Sequence, residues 1–448
     1  MITAKAFARK RYAVYGLARS GLASAAALIA SGAEVTAWDA KEEARAKVPQ
    51  EVKIDDLDQI ELAQFDSLVV TPGLPINRHP IGQRAREAGV EIVGDVELFA
   101  RARPELPSHK VVGITGTNGK STTTALIHHI LRTAGVNTQM GGNIGLPILA
   151  QDPLPEGGVY VLELSSYQID LTRSLDCDVA VLLNITPDHL DRYESFKAYA
   201  GSKMRLFEMQ HYPHVSIVTG EAWRSPVFDR TRYSNFPIVR SAALDQRDPA
   251  NLGSAVYEGK AFEGDREFAR QSDWPTLPGP HNAQNAAAAI ASCGRLGLAT
   301  GQIAEGLRTY PGLAHRMERI RDEGGILFVN DSKATNPTAT APALAAFDRI
   351  RWICGGRAKT DNLDECAPHF GHVTKAYTIG EAGELFARLL SSHMDVAECE
   401  TLERAVGAAA AEATSGETVL LSPACASFDQ FRDFEDRGDQ FRALVGAL

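Results

Sequence analysis

Short apolar, β-branched runs, each closing on a polar or glycine-rich loop, alternate along the chain with segments of helical spacing. Tyr12–Tyr15 stops at Gly16, Glu34–Trp38 at Asp39, and Ser67–Val70 at Thr71-Pro72-Gly73. Farther on, Val111–Thr115 stops at Gly116, Val159–Leu162 at Glu163, and Val179–Leu183 at Asn184. Ile326–Asn330, Ile350–Cys354 and Thr418–Leu421 repeat the pattern near the end of the chain. Between these runs, Gly21–Ile29, the Leu126, Ile127, Ile130, Leu131 and Ala134 series, and Ser195–Glu208 keep helical periodicity. Strand–helix alternation of this kind predicts an α/β fold with parallel sheets, whose ligands sit beyond the strand C-termini. Pro104 and Pro107 within Arg103–His109 mark a linker, and Pro311-Gly312 marks a second boundary. Three domains are expected: a Rossmann-like domain over 1–104, a central parallel-sheet domain over 105–312, and a second Rossmann-like domain over 313–448.

Composition narrows the class without changing it. The chain has 448 residues, enough for several cores, with 44% hydrophobic and 23% charged residues, ordinary for a soluble protein. A net charge of −10 and the lack of a dense basic stretch argue against a nucleic-acid partner. The six cysteines form no C-x-x-C pair and read as reduced, mostly buried thiols. No signal-peptide core or membrane-length apolar run is present, so a cytoplasmic protein without membrane insertion is expected.

The sharpest chemistry lies at Gly116-Thr117-Asn118-Gly119-Lys120-Ser121, between a strand and a helix. Glycines let backbone N–H groups close on phosphate oxygens, and the helix N-terminus adds positive potential. Lys120 would reach the terminal phosphates and Ser121 would offer its hydroxyl to Mg²⁺. Ile114 stands where the common phosphate loop has its first glycine, so this is a shortened form. Glu163 and His189 follow later strands and would converge on the loop, the glutamate as a metal ligand and the histidine as a ligand or substrate contact. Asp39 stands where a ribose hydroxyl is often held, although it could equally cap a turn.

Two helices carry ambiguous polar residues. In Ser195–Glu208, Lys203 shares the stripe of Phe196, Ala200 and Phe207. It is either a lysine snorkelling to the surface or a desolvated one, which would lose its proton readily and become nucleophilic. Asn282 and Asn285 share the first face of an alanine-rich helix, as helix-start residues or as nucleotide contacts. On these residues alone a kinase, a motor-type ATPase and an ATP-driven ligase all remain open.

The motifs together resemble the bacterial Mur ligase family over nearly the whole chain. They include Gly116–Ser121, Gly141–Gly145, Glu163–Gln168, Asp188–Tyr193, His281–Asn285, His315-Arg316, Asp331–Asn336 and Leu421–Phe434. Ser165-Ser166-Tyr167-Gln168 and the run from Leu421 to Phe434 look like the branch that adds D-glutamate. The resemblance implies ATP-dependent amide formation between UDP-MurNAc-L-alanine and D-glutamate through an acyl phosphate. It also implies two Mg²⁺ ions, and a monomer is expected. A sibling Mur ligase or a folylpolyglutamate-synthetase-like ligase is the alternative. The resemblance further implies ATP contacts from Gly116, Thr117, Asn118, Gly119, Lys120, Ser121, Thr122, Asn282, Asn285, Arg316 and Asp331. Ser121, Glu163, His189 and a CO₂-derived carbamate on Lys203 would hold metal. Ser20, Asp39, Lys41, Thr71, Gly73 and Asn143 would face the UDP-substrate. Lys333, Thr335, Lys359, Ser427, Phe428 and Phe434 would form the D-glutamate side, with Lys333 also counted as catalytic beside Lys120, His189 and Lys203.

Overall fold

The computed structural model describes residues 1–188, 192–232, 238–241, 254–257, 259–263 and 266–448. Four sheets carry the expected strands. The first joins β1 (Arg11–Tyr15), β2 (Glu34–Trp38), β3 (Lys53–Ile54), β4 (Ser67–Val70) and β5 (Glu91–Val93) in the order β3-β2-β1-β4-β5. The second joins β6 (His109–Thr115), β7 (Thr138–Gly142), β8 (Gly158–Glu163), β9 (Val179–Leu182), β10 (Val215–Thr219) and β11 (Ile238–Ser241) in the order β11-β10-β9-β6-β8-β7. Every pairing in both sheets is parallel. Parallel strands are covered on both faces, which is why β4 and β9 are buried throughout and, apart from Ser67, apolar. An antiparallel meander follows, β12 (Ser254–Tyr257), β13 (Lys260–Glu263) and β14 (Arg266–Arg270).

The last sheet joins β15 (Glu318–Glu323), β16 (Ile326–Asn330), β17 (Ile350–Gly355), β18 (Val373–Ile379), β19 (Asp395–Glu400) and β20 (Thr418–Leu421) in the order β15-β16-β20-β17-β18-β19. Only its edge pair β15–β16 is antiparallel. Arg351 lies inside this sheet, and its charge is met by Glu417 at 2.9 Å and the Tyr377 hydroxyl at 2.7 Å. A buried charge without such partners would be strongly unfavourable.

The chain forms two compact units, Met1–Arg270 with Gln284–Arg308, and Gln271–Ala283 with Thr309–Leu448. The first two expected domains thus pack as one body, and the expected linker is a packed element. Arg103–Glu105 is a short 3₁₀ turn in which Arg103 donates to the Asp176 carbonyl and Glu105 accepts the Lys5 N–H at 2.7 Å. Buried Glu97 accepts the Arg173 and Ser174 amides at 2.7 and 2.9 Å, tying the first sheet's last helix to the central one. One apolar core runs through both, from Val14 and Phe99 to Tyr160 and Leu182. The prolines of 103–109 therefore lie in a hydrogen-bonded junction between the two sheets. All six cysteines are buried free thiols, and among the described residues no helix is long and apolar enough to cross a membrane.

Candidate active site

The phosphate loop joins β6 to the helix Lys120–Thr133. Gly119 caps that helix at φ 81°, and a Cβ there would meet Asn285 Oδ1 at 2.3 Å. Only glycine fits this position, on both conformational and spatial grounds. The loop is held from the neighbouring strand end. Asn184 Oδ1 accepts the Thr117 and Asn118 amides at 3.0 and 2.8 Å, and its Nδ2 donates to Asn118 O at 3.2 Å. Thr117 Oγ1 accepts the Thr186 amide at 3.0 Å. The loop is thereby preorganised by the protein's own groups.

Two lysines meet at one carbonyl. Lys120 Nζ donates to Gly116 O at 3.0 Å and Thr117 O at 2.7 Å, and Lys203 Nζ donates to Gly116 O at 2.8 Å. Lys203 is 2% exposed and lies over the Tyr199 ring at 4.5 Å, so it does not snorkel. Burial, and then the adjacent Lys120 charge, hold its ammonium well below the ordinary lysine range. The helix Phe196–Glu208 is anchored by Ser195, whose hydroxyl accepts the Ala198 amide at 3.1 Å.

Glu163 ends β8, in register with Ile114 just before the loop. Its side chain is buried; Oε1 accepts from Asn143 Nδ2 at 3.0 Å, while Oε2 has no hydrogen-bond partner. An orphaned buried carboxylate oxygen beside a phosphate loop fits a divalent cation. Ser121 is buried in the first turn of the loop helix. His189 lies outside the described residues.

Asn143 also lines a cavity of about 320 Å³ with Ser20, Thr71, Gly73, Asp95 and Gln168. Four of the residues expected at the UDP-substrate therefore come together, from three separate segments. Asp39 and Lys41 do not line it: Asp39 accepts the Leu17 amide at 2.7 Å and the Lys41 amide at 2.9 Å, holding the loop after β1. Gly142 stands at φ 84° with the Glu163 carbonyl 2.1 Å from where a Cβ would be, which lets Asn143 follow β7 so closely.

On the helix Gly279–Arg295, Asn285 faces the loop through Gly119 and accepts from Thr123 Oγ1 at 3.3 Å. Asn282, in the second unit, donates to Pro278 O at 2.9 Å. The second unit gathers its own expected residues. Lys359 Nζ donates to Thr335 Oγ1 at 3.2 Å, and Lys333 lies 3.9 Å from the Phe434 ring centroid. Asp331 accepts from Ser422 Oγ at 2.8 Å and the Met317 amide at 3.2 Å, and burial pushes its carboxyl up to about 7. Ser427 is buried, whereas Phe428 is 64% exposed. Arg316 closes a short bridge with Leu313 at the start of this unit.

Sequence reasoning did not single out Asn184, Asp95 or Arg437. Asn184 carried a usable signal, as the polar residue ending a strand of the central sheet. Arg437 is fully buried and donates to Ser332 Oγ and O at 2.9 and 2.8 Å and to Cys425 O at 3.1 Å, fixing the backbone around Lys333 and Ser427.

Three family models match the chain: "Mur ligase MurD-like, N-terminal domain" over 10–94, "Mur ligase middle domain" over 114–293, and "Mur ligase, glutamate ligase domain" over 315–425. A UDP-N-acetylmuramoylalanine--D-glutamate ligase of Novosphingobium aromaticivorans is 56% identical, the match covering 100% of this chain and 97% of that protein. Relatives of the same name from Sphingopyxis alaskensis and Caulobacter vibrioides are 54% and 45% identical, each over 100% of this chain and over 100% and 98% of their own lengths. Among solved structures, the UDP-N-acetylmuramate-alanine ligase MurC of Thermotoga maritima superposes with a TM-score of 0.60 at 18% identity, covering 98% of this chain and 99% of that one. The MurF ligase of Thermotoga maritima gives 0.60 at 16% identity over 99% of both chains. These two similarities concern the fold.

Proposed function

The chain belongs to the Mur ligase family, and on that premise we propose that it joins D-glutamate to UDP-MurNAc-L-alanine at the expense of ATP. The reaction runs in the cytoplasm on a monomer whose domains are 1–104, 105–312 and 313–448. The ATP γ-phosphoryl passes to the alanyl carboxylate, the D-glutamate amine attacks the acyl phosphate, and phosphate leaves as the amide forms. Asn143 carries the reading, because it lines the substrate cavity and also donates to Glu163 beside the phosphate loop. The sugar-nucleotide pocket and the phosphoryl-transfer site thus share a side chain. The name borne by the full-length relatives supports D-glutamate as the acceptor.

The residue roles belong to the same proposal. The loop amides and Lys120 hold the ATP phosphates, with Lys120 leaving the Gly116 and Thr117 carbonyls to do so. Ser121 and Glu163 would hold one Mg²⁺, with His189 and a carbamate on Lys203 at a second. Such ions neutralise the charge of a phosphate and a carboxylate brought together. The neutral amine favoured at Lys203 can add to CO₂, losing a proton and leaving a carboxylate on the nitrogen. Ser20, Thr71, Gly73 and Asn143 bind the UDP-substrate. Asn282, Asn285, Arg316 and Asp331 serve the nucleotide, and Lys333, Thr335, Lys359, Ser427, Phe428 and Phe434 serve D-glutamate.

Purified protein given UDP-MurNAc-L-alanine, ATP and single candidate amino acids should release phosphate with D-glutamate and little without both partners. Release with meso-diaminopimelate and not D-glutamate would overturn the assignment.

A further inference from the structure

The loop Thr71-Pro72-Gly73 forms one wall of the substrate cavity, and its other side is gripped by a residue without a role so far. Arg192 Nη2 donates to Gly73 O at 2.7 Å and lies 3.4 Å from Pro72 O. Its guanidinium stacks 4.2 Å over the Tyr167 ring, which itself stacks on Tyr193 with centroids 6.1 Å apart and planes within 14°. Tyr193 is pinned by its hydroxyl, which donates to Asp170 at 2.8 Å. Asn77 Nδ2 donates to the Arg192 carbonyl at 2.6 Å, so the main chain of this residue is held as well. Pro72, Arg192, Tyr167 and Tyr193 line a second cavity of about 340 Å³ behind the loop.

A trans peptide carries its N–H opposite its C=O. Drawing the Pro72 carbonyl toward Arg192 therefore turns the Gly73 N–H away from Arg192, to the side of the substrate cavity that Gly73 lines. A backbone amide aimed into a cavity for a nucleoside-diphosphate sugar is a donor for its phosphate or carbonyl oxygens. Without the cation, two carbonyl oxygens would be free to rotate toward the cavity and repel the same anion. Tyr167 sets the guanidinium plane, which a flexible ammonium could not reproduce.

We propose that Arg192 is a positioning residue for the UDP-substrate, holding the Thr71–Gly73 loop so that the Gly73 N–H faces the bound anion. The inference rests on the functional reading above and deepens it. Calorimetric titration of UDP-MurNAc-L-alanine into the whole protein, with steady-state kinetics alongside, tests it. R192A should raise the Kd about tenfold, ~1.4 kcal/mol, and raise KM for this substrate equally. Its kcat should stay within about threefold and its KM for ATP within about twofold. R192K should fall between, since a point charge reaches one carbonyl without stacking. An unchanged Kd in R192A overturns the inference, as does a parallel loss of ATP affinity with a lowered Tm, the signature of a merely structural role. Wild-type protein that binds no UDP-MurNAc-L-alanine sinks the functional reading and this inference with it. Wild-type binding that R192A leaves intact sinks this inference alone.

Discussion

The two compact units treat their candidate chemistry in opposite ways. Around the phosphate loop the key groups are buried and clamped: Asn184 spans the loop, and Lys203 is sealed against Gly116 O. In the second unit, Lys359 and Thr335 meet in solvent-exposed surroundings and Phe428 is largely bare, although the backbone beneath is fixed by buried Arg437. Groups that act on every turnover on the same phosphates can be preset at the cost of burial. Groups that must admit and release a small amino acid gain from weak contacts that the ligand replaces.

The largest test of this contrast is K203M. On the proposed carbamate role, removing this buried amine should lower kcat by about 10³-fold, while the isosteric methionine keeps Tm within about 3 °C. Rigorous CO₂ depletion of the wild type should lower the rate, and bicarbonate should restore it. An unchanged rate would assign Lys203 to packing. N184A comes next. The Asn118 amide and carbonyl lose their partner, while the Thr117 amide keeps the Asn184 carbonyl at 3.1 Å, so KM for ATP should rise about tenfold and Tm should fall slightly. KM for D-glutamate should not move. In the exposed region K359M should do the reverse, raising KM for D-glutamate about fivefold with ATP affinity and Tm unchanged. An equal rise in both constants would erase the distinction between the regions.

Much of this was legible in the chain because it is local. Gly116–Ser121 sets its own turn, and the Lys203 stripe follows from helical period. Where the Lys203 amine points was not legible, since that depends on β6 and the helix Phe196–Glu208 meeting across a long span of chain. Asn184 holds the loop only because β9 lies beside β6, with Leu182 opposite Thr115. The prolines of 103–109 mark the passage from the first sheet to the second, but the segment's hydrogen bonds to partners as distant as Lys5 and Asp176 were not legible. Asp39 shows a different limit: its carboxylate accepts two neighbouring amides, a local use that the bare sequence does not separate from a ligand position.

The smallest effect compares one buried carboxyl from each unit. Asp331 is pushed up to about 7 yet receives two hydrogen bonds, from Ser422 and Met317. Asp95, in the wall of the cavity that Asn143 lines, is pushed up to about 6 by burial and receives only the grazing approach of the Asp95 and Val96 amides of its own turn, neither oxygen having a full hydrogen bond. Both folded values lie above the unfolded carboxyl. The folded state therefore holds the proton more tightly, and the stability gained is complete below the unfolded value near 4 and lost as pH rises through 6 to 7. D95N removes an ionisable group that leaves no donor unsatisfied, so it should leave Tm nearly unchanged at pH 3.5 and raise it by about 2–4 °C at pH 8. D331N turns one of the two accepting oxygens into an amide donor, leaving either Ser422 or Met317 without its acceptor, and should lower Tm at both pH values. Thermal scans at the two pH values decide the matter. A drop for D95N at pH 8 would mean that Asp95 is held as firmly as Asp331, and that the cavity wall is as fully satisfied as the phosphate loop.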